Sequence, residues 1–157
     1  MKINLPFNYQ LRLYFSRMAK RTGVCSQIYQ QKDKHILLWD FDDTPLEQIE
    51  AVLLVSQMRY TLPAIHIISS SPNSYHAYCF TSRSFREIIH ILSATDKIDL
   101  KYLRLGMVRG YYTLRITPRK NDNFVLIKTL PSVTENETNN MSITINEYLT
   151  VNKGRSK

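Results

Sequence analysis

Leu11, Tyr14, Phe15 and Met18 recur at i, i+3, i+4 and i+7, which gathers apolar side chains on one helical face, and Gly23 falls where a C-terminal cap is wanted. This spacing predicts a first helix. The run His35 to Asp42 has strand length and ends in carboxylates, so it reads as a buried strand. Thr44, Pro45 and Glu47 then fit the N-cap, the first position and the return arm of a capping box, ahead of an inner stripe of Ile49, Val52 and Leu53. That helix is predicted to run to about Tyr60.

Two further apolar strands, Ala64–Ser69 and Tyr75–Phe80, flank the turn-rich Ser71–Ser74 and read as a hairpin. Ser84 and Glu87 repeat the capping-box spacing, and Phe85, Ile88, Ile89 and Leu92 form the next helical stripe. Ile98 to Leu103 alternates like a strand, and Tyr111–Thr117 with Phe124–Leu130 suggests a last hairpin about Pro118–Asn123. The central order β-α-β-β-α-β predicts an α+β, RNA-recognition-like sheet with helices on one face and an additional C-terminal hairpin. Residues 1–130 read as one domain, and 131–157 as a polar flexible tail with a short strand at Met141–Ile145.

Charge changes the picture. Lys and Arg outnumber Asp and Glu by 21 to 13, a net +8, so a polyanion is the first partner to expect. Arg12, Arg17, Lys20 and Arg21 line the polar face of the first helix, a surface suited to a nucleic-acid strand. Cys25 and Cys79 match no zinc or disulfide spacing. The N-terminal apolar residues are too interrupted for a signal peptide, and no run approaches a membrane span, so the expectation is an intracellular, cytoplasmic protein with no membrane partner.

Within this basic chain, Asp40, Asp42, Asp43, Glu47 and Glu50 form a local reversal with no cation among them. A solvated helix start explains the last three. Asp40 is different, because it follows Ile36-Leu-Leu-Trp39 directly and would be costly to bury without a partner. On a strand Asp40 and Asp42 point to the same face, where two carboxylates can hold a hard divalent cation. Ser74 and His76 share a face by the same period, and a hydroxyl and an imidazole beside turn N–H groups suit phosphate oxygens. Between Asp99 and Lys120 lie Lys101, Arg104, Arg109, Arg115 and Arg119 with interleaved tyrosines; guanidinium groups bind phosphate bidentately and tyrosine rings stack on bases.

Taken in order, Asp40-x-Asp42, Ser74-x-His76, and Asp99 followed by Arg109 and Arg115 resemble the catalytic core of the archaeo-eukaryotic primase superfamily, over residues 35–120. The resemblance implies a minimal template-dependent nucleotidyltransferase of DNA replication or repair, of the sort that plasmids and viruses carry. Asp40, Asp42 and Asp99, with Asp96 as an alternative third acid, would hold Mg²⁺ or Mn²⁺ for two-metal phosphoryl transfer. Ser74, His76, Arg115 and Lys120 would bind the nucleoside triphosphate, and the basic helix together with Arg109 would track a single-stranded DNA template. A helicase or another replication protein is the partner it implies. Asp40-Phe-Asp-Asp-Thr44 also resembles the nucleophile motif of haloacid-dehalogenase-type phosphatases, whose parallel sheet the two predicted hairpins oppose. A basic nucleic-acid-binding module without chemistry is the third reading; it does not require aligned acids on a central strand.

Overall fold

A computed structural model describes residues 2–4, 10–12, 23–28, 31–116 and 124–132. Arg17, Lys20, Arg21 and Lys120 lie outside the described residues, as do the turn at Pro118–Asn123, residues 133–157 and the strand expected at Met141–Ile145. Along the chain run β1 (Lys2–Asn4), β2 (Gln10–Arg12), β3 (Gly23–Cys25), β4 (Gln27–Ile28), β5 (Gln31–Phe41), α1 (Leu46–Tyr60), β6 (Ile65–Ser71), β7 (Ser74–Ser84), α2 (Phe85–Ser93), α3 (Leu100–Arg109), β8 (Thr113–Arg115) and β9 (Val125–Leu130). The fold is α+β. Five strands form an antiparallel sheet in the order β4-β5-β7-β6-β9, and β1-β2 and β3-β8 are separate antiparallel pairs.

β5 and β6 are both antiparallel to β7 and so run parallel to each other, joined by α1 with β7 inserted between them. Pairing of Ser71 with Ser74 leaves Pro72 and Asn73 to make the β6–β7 turn, and Asn73 takes a φ of 56° that Asn tolerates. One sheet face carries Leu37, Trp39 and Phe41 of β5, Ala77 and Cys79 of β7, and Ile65 and Ile67 of β6, all buried. Ile49 and Leu53 of α1 and Ile88, Ile91 and Leu92 of α2 complete this core. A buried Thr95 hydroxyl fixes the layer, accepting from Trp39 Nε1 at 3.2 Å, sharing a hydrogen bond with Ser56 of α1 at 3.3 Å, and donating to Ile91 O. The capping box of α2 forms as the sequence predicts, with Ser84 and Glu87 each serving the other's backbone N–H.

Four local expectations are corrected. Leu11 and Arg12 are in β2, paired with Ile3 and Lys2, instead of on a basic helix, and Gly23 opens β3 instead of capping that helix. Gly23 is needed there because a Cβ would stand 2.8 Å from the backbone oxygen of Leu114 on β8. At α1 the N-cap is Pro45 with no side-chain cap; the Thr44 hydroxyl turns back to donate to Asp42 O. Ile98–Leu103 is not a strand: Asp99 caps α3 by accepting from Lys101 N, Gly110 ends it at φ 79°, and Tyr102, Leu103 and Gly106 form its buried side. Finally, β8 and β9 make no hairpin with each other. β8 pairs with β3 near β5, while β9 pairs with β6 at the far side of the sheet.

The outer edge of β5 explains where α3 sits. β5 pairs with β4 only as far as His35, and beyond that Ile36 N donates to Ser26 O. The next two outward carbonyls, Leu38 O and Asp40 O, accept from the Tyr102 hydroxyl at 2.9 Å and from Asp99 N at 3.0 Å. Tyr112 locks the helix in place, its ring lying directly on Gly106 where any side chain would collide with it.

Candidate active site

β5 and β7 bring the two sequence motifs together in register. Asp40 is the direct cross-strand partner of His76, and His76 Nε2 lies 3.4 Å from Asp40 Oδ1. They share the sheet face opposite Trp39, because side chains alternate along each strand. His76 is almost fully enclosed, with its ring 5.7 Å from that of Phe124 and its Nδ1 3.5 Å from the Tyr78 hydroxyl. Asp40 keeps about a quarter of its side chain exposed (23%).

This environment acts oppositely on the two groups. Burial, then the negative charges of Asp42 and Asp99, push the Asp40 carboxyl up to about 7, with the Arg115 guanidinium pulling weakly the other way. Burial, assisted by Arg115, pushes the His76 imidazole down to about 4. Near neutral pH the contact therefore joins a neutral imidazole to a half-protonated carboxyl, not two full charges. Arg115 acts on both groups, so the β8 arginine belongs to the same neighbourhood.

Asp99 is tied to Asp40 through the backbone bond at the β5 edge, and its charge raises the Asp40 carboxyl; the exposed Asp96 has no such effect. Asp42 is exposed just past β5. Ser74 begins β7 and is half-buried, its carbonyl accepting from the Ser70 hydroxyl. Arg109 stands exposed in the last turn of α3. Together with Asp40, Asp99, Lys101 and Thr113 it lines a cleft of about 240 Å³.

Of the three tyrosines that line the cleft, Tyr111 is exposed, as stacking on a base requires. Tyr102 and Tyr112 are both buried, and the Tyr112 hydroxyl donates to Leu103 O at 3.3 Å. They pack α3 against the sheet and present no free face to a base. Burial, then the Asp40 charge, raises the Tyr102 hydroxyl well above its ordinary value, so it remains a donor at any working pH. Lys101 completes the cationic lining; in the sequence it is only one member of a basic run.

Hard oxygen donors with a desolvated, half-protonated carboxyl among them suit a divalent cation, which would offset the burial and the repulsion that raise Asp40. Among the described residues no three His, Cys, Asp or Glu side chains stand close enough to form a complete metal cage. Mg²⁺ does not need one, since it is commonly held by one or two carboxylates with waters and substrate phosphates. No helix among the described residues is long and apolar enough to cross a membrane. No protein-family model matches the chain, and no curated protein or solved structure does.

Proposed function

We propose that the protein is a template-dependent nucleotidyltransferase of primase-polymerase type, acting on a single-stranded DNA template and nucleoside triphosphates. The observation that carries the reading is the meeting of Asp40 and His76 across β5 and β7, within the electrostatic reach of Asp42, Asp99 and Arg115. The β5-α1-β6 unit with β7 between its strands supports an RNA-recognition-like origin for the sheet. The departure is at β5's outer edge, where α3 holds the backbone that a fourth strand would pair with.

Asp40, Asp42 and Asp99 would hold Mg²⁺ or Mn²⁺, which when bound lowers the pKa of an attacking hydroxyl and stabilises charge on the transferring phosphoryl group. His76 is held neutral and so offers a phosphate oxygen an N–H donor without a full charge. Arg115, Arg109 and Lys101 supply the cationic field that a triphosphate needs beside the acids. Ser74 adds a hydroxyl at the turn end of β7. The antiparallel sheet counts against the phosphatase reading, whose fold needs parallel strands.

A basic nucleic-acid-binding module is the second reading, favoured by the chain's net charge of +8. Incubation of the purified protein with single-stranded DNA, labelled nucleotides and Mg²⁺ or Mn²⁺, with and without primer, separates the readings. Incorporation that Asp40→Asn and Asp99→Asn abolish, with DNA binding retained, is the expected result. DNA binding without incorporation under every condition selects the binding module, and metal-dependent hydrolysis of simple phosphomonoesters selects the phosphatase.

A further inference from the structure

A second cleft, of about 440 Å³, opens on the helical layer, where the C-terminal end of α1 meets α2 and the end of β7. It is lined by Tyr60, Arg83, Arg86, Glu87, His90 and Ile91. These elements cover the Trp39 face of the sheet, so the cleft is separate from the Asp40–His76 site. Its size falls in the range of small-ligand pockets, which run from about 300 to 1,000 Å³.

The donors there are incompletely used. Tyr60 Oη and Arg83 Nε are buried with no hydrogen-bond partner among the described residues, and buried polar groups are rarely left so. Among the described residues the Arg83 side chain makes one long ion pair, 3.9 Å from Nη1 to Glu87. The one acid in the lining is already engaged, because Glu87 Oε2 accepts from Ser84 N at 2.9 Å and from the Ser84 hydroxyl at 2.6 Å. Hydrogen bonds from Ser84 hold that carboxyl below its usual range, so it stays ionised and an incoming oxyanion must displace it as the long-range partner of Arg83. Arg86 is exposed, His90 meets the edge of the Tyr60 ring at 5.7 Å, and the Arg59 guanidinium stands 5.6 Å from the centre of that ring.

We propose that this cleft between α1 and α2 binds a terminal phosphate group, with Arg83 and Arg86 as its cationic ligands and Tyr60 as a hydroxyl donor. A turn of the Arg83 guanidinium about its stem presents the Nε edge together with a terminal nitrogen, the fork that matches two phosphate oxygens. The oxyanion then supplies the acceptor that Arg83 Nε and Tyr60 Oη lack. The tyrosine and histidine rings form the less polar wall against which a sugar or base can rest. The phosphate can come from a free mononucleotide or from the 5′ end of a strand; the chemistry recognised is the same.

Calorimetric titration of the full chain tests this with inorganic phosphate, a nucleoside monophosphate, and a short single strand carrying either a 5′-phosphate or a 5′-hydroxyl. Arg86→Gln, at an exposed position that does not threaten the fold, and Arg83→Gln should each weaken phosphate binding about 10-fold or more, while Lys128→Gln, an exposed charge on β9 that lines neither cleft, leaves it unchanged. The His90 ring resonances should shift on titration. Equal affinity for the monophosphate and the 5′-phosphorylated strand identifies the free nucleotide as ligand; tighter binding of the phosphorylated strand than of both the monophosphate and the 5′-hydroxyl strand identifies the strand end. Absence of saturable phosphate binding overturns the proposal, as does binding that Arg115→Gln abolishes and Arg86→Gln spares.

Discussion

The opposed shifts at Asp40 and His76 make a stability profile that single substitutions should unmask. Asp40 titrates at about 7 in the folded chain against 3.8 for an ordinary aspartate, so between those values the folded state binds more protons than the unfolded one. Its contribution is greatest below pH 3.8 and is lost as pH rises towards 7. His76 titrates at about 4 against an ordinary 6.5, so in that window the unfolded state binds more protons, and stability is lost as pH falls from 6.5 towards 4. Over pH 4 to 6.5 the two slopes oppose each other and the wild-type profile is nearly flat on their account. Asp40→Asn leaves the His76 slope alone, because burial and Arg115, not Asp40, depress the imidazole. At 1.36 kcal/mol per unit, the 2.5-unit window sets a ceiling of about 3 kcal/mol, and relaxation around the site reduces the expected gain to about 1–2 kcal/mol. His76→Gln should do the reverse, with stability falling as pH rises from 4 to 7. Urea unfolding of the three proteins at pH 4.5, 5.5 and 6.5, in metal-free buffer, reads this out. Parallel profiles for all three would refute the coupling of burial and charge argued for this pair.

Ser84→Ala removes the N-cap of α2 and should cost about 1 kcal/mol in the same unfolding assay. Gly106→Ala drives a methyl group into the Tyr112 ring and should destabilise by about 1–3 kcal/mol, measured by thermal melting. Single-stranded DNA binding should weaken with salt with a log–log slope of about −0.7 for each phosphate neutralised; Arg109→Gln should make that slope shallower if α3 contacts the template.

Period and capping made much of this fold legible. The hairpin of β6 and β7, the capped α2 and the inner stripe of α1 all follow from signals that act within a few residues. The acidic and histidine motifs read as strand segments, and the same-face rule groups Asp40 with Asp42 and Ser74 with His76. Their direct pairing was not visible, because the Asp40–His76 register depends on how two strands slide together. α3 is hidden in the sequence because Ile98, Leu100 and Tyr102 imitate strand alternation, while the signals that decide its type, the Asp99 cap and the terminal Gly110, lie at its ends. The partner choices of β8 and β9 are long-range and leave no local trace.

A sheet edge with vacant carbonyls is a template for another chain, and natural proteins protect such edges. Here the protection of Leu38 O and Asp40 O consists of a tyrosine hydroxyl from α3 and the amide of its N-cap, Asp99. The same two bonds thus serve solubility as well as geometry: a chain whose α3 is loosened exposes Leu38 and Asp40 to intermolecular strand pairing at the strand that carries the candidate chemistry. Loss of the Tyr102 anchor would therefore surface first as self-association.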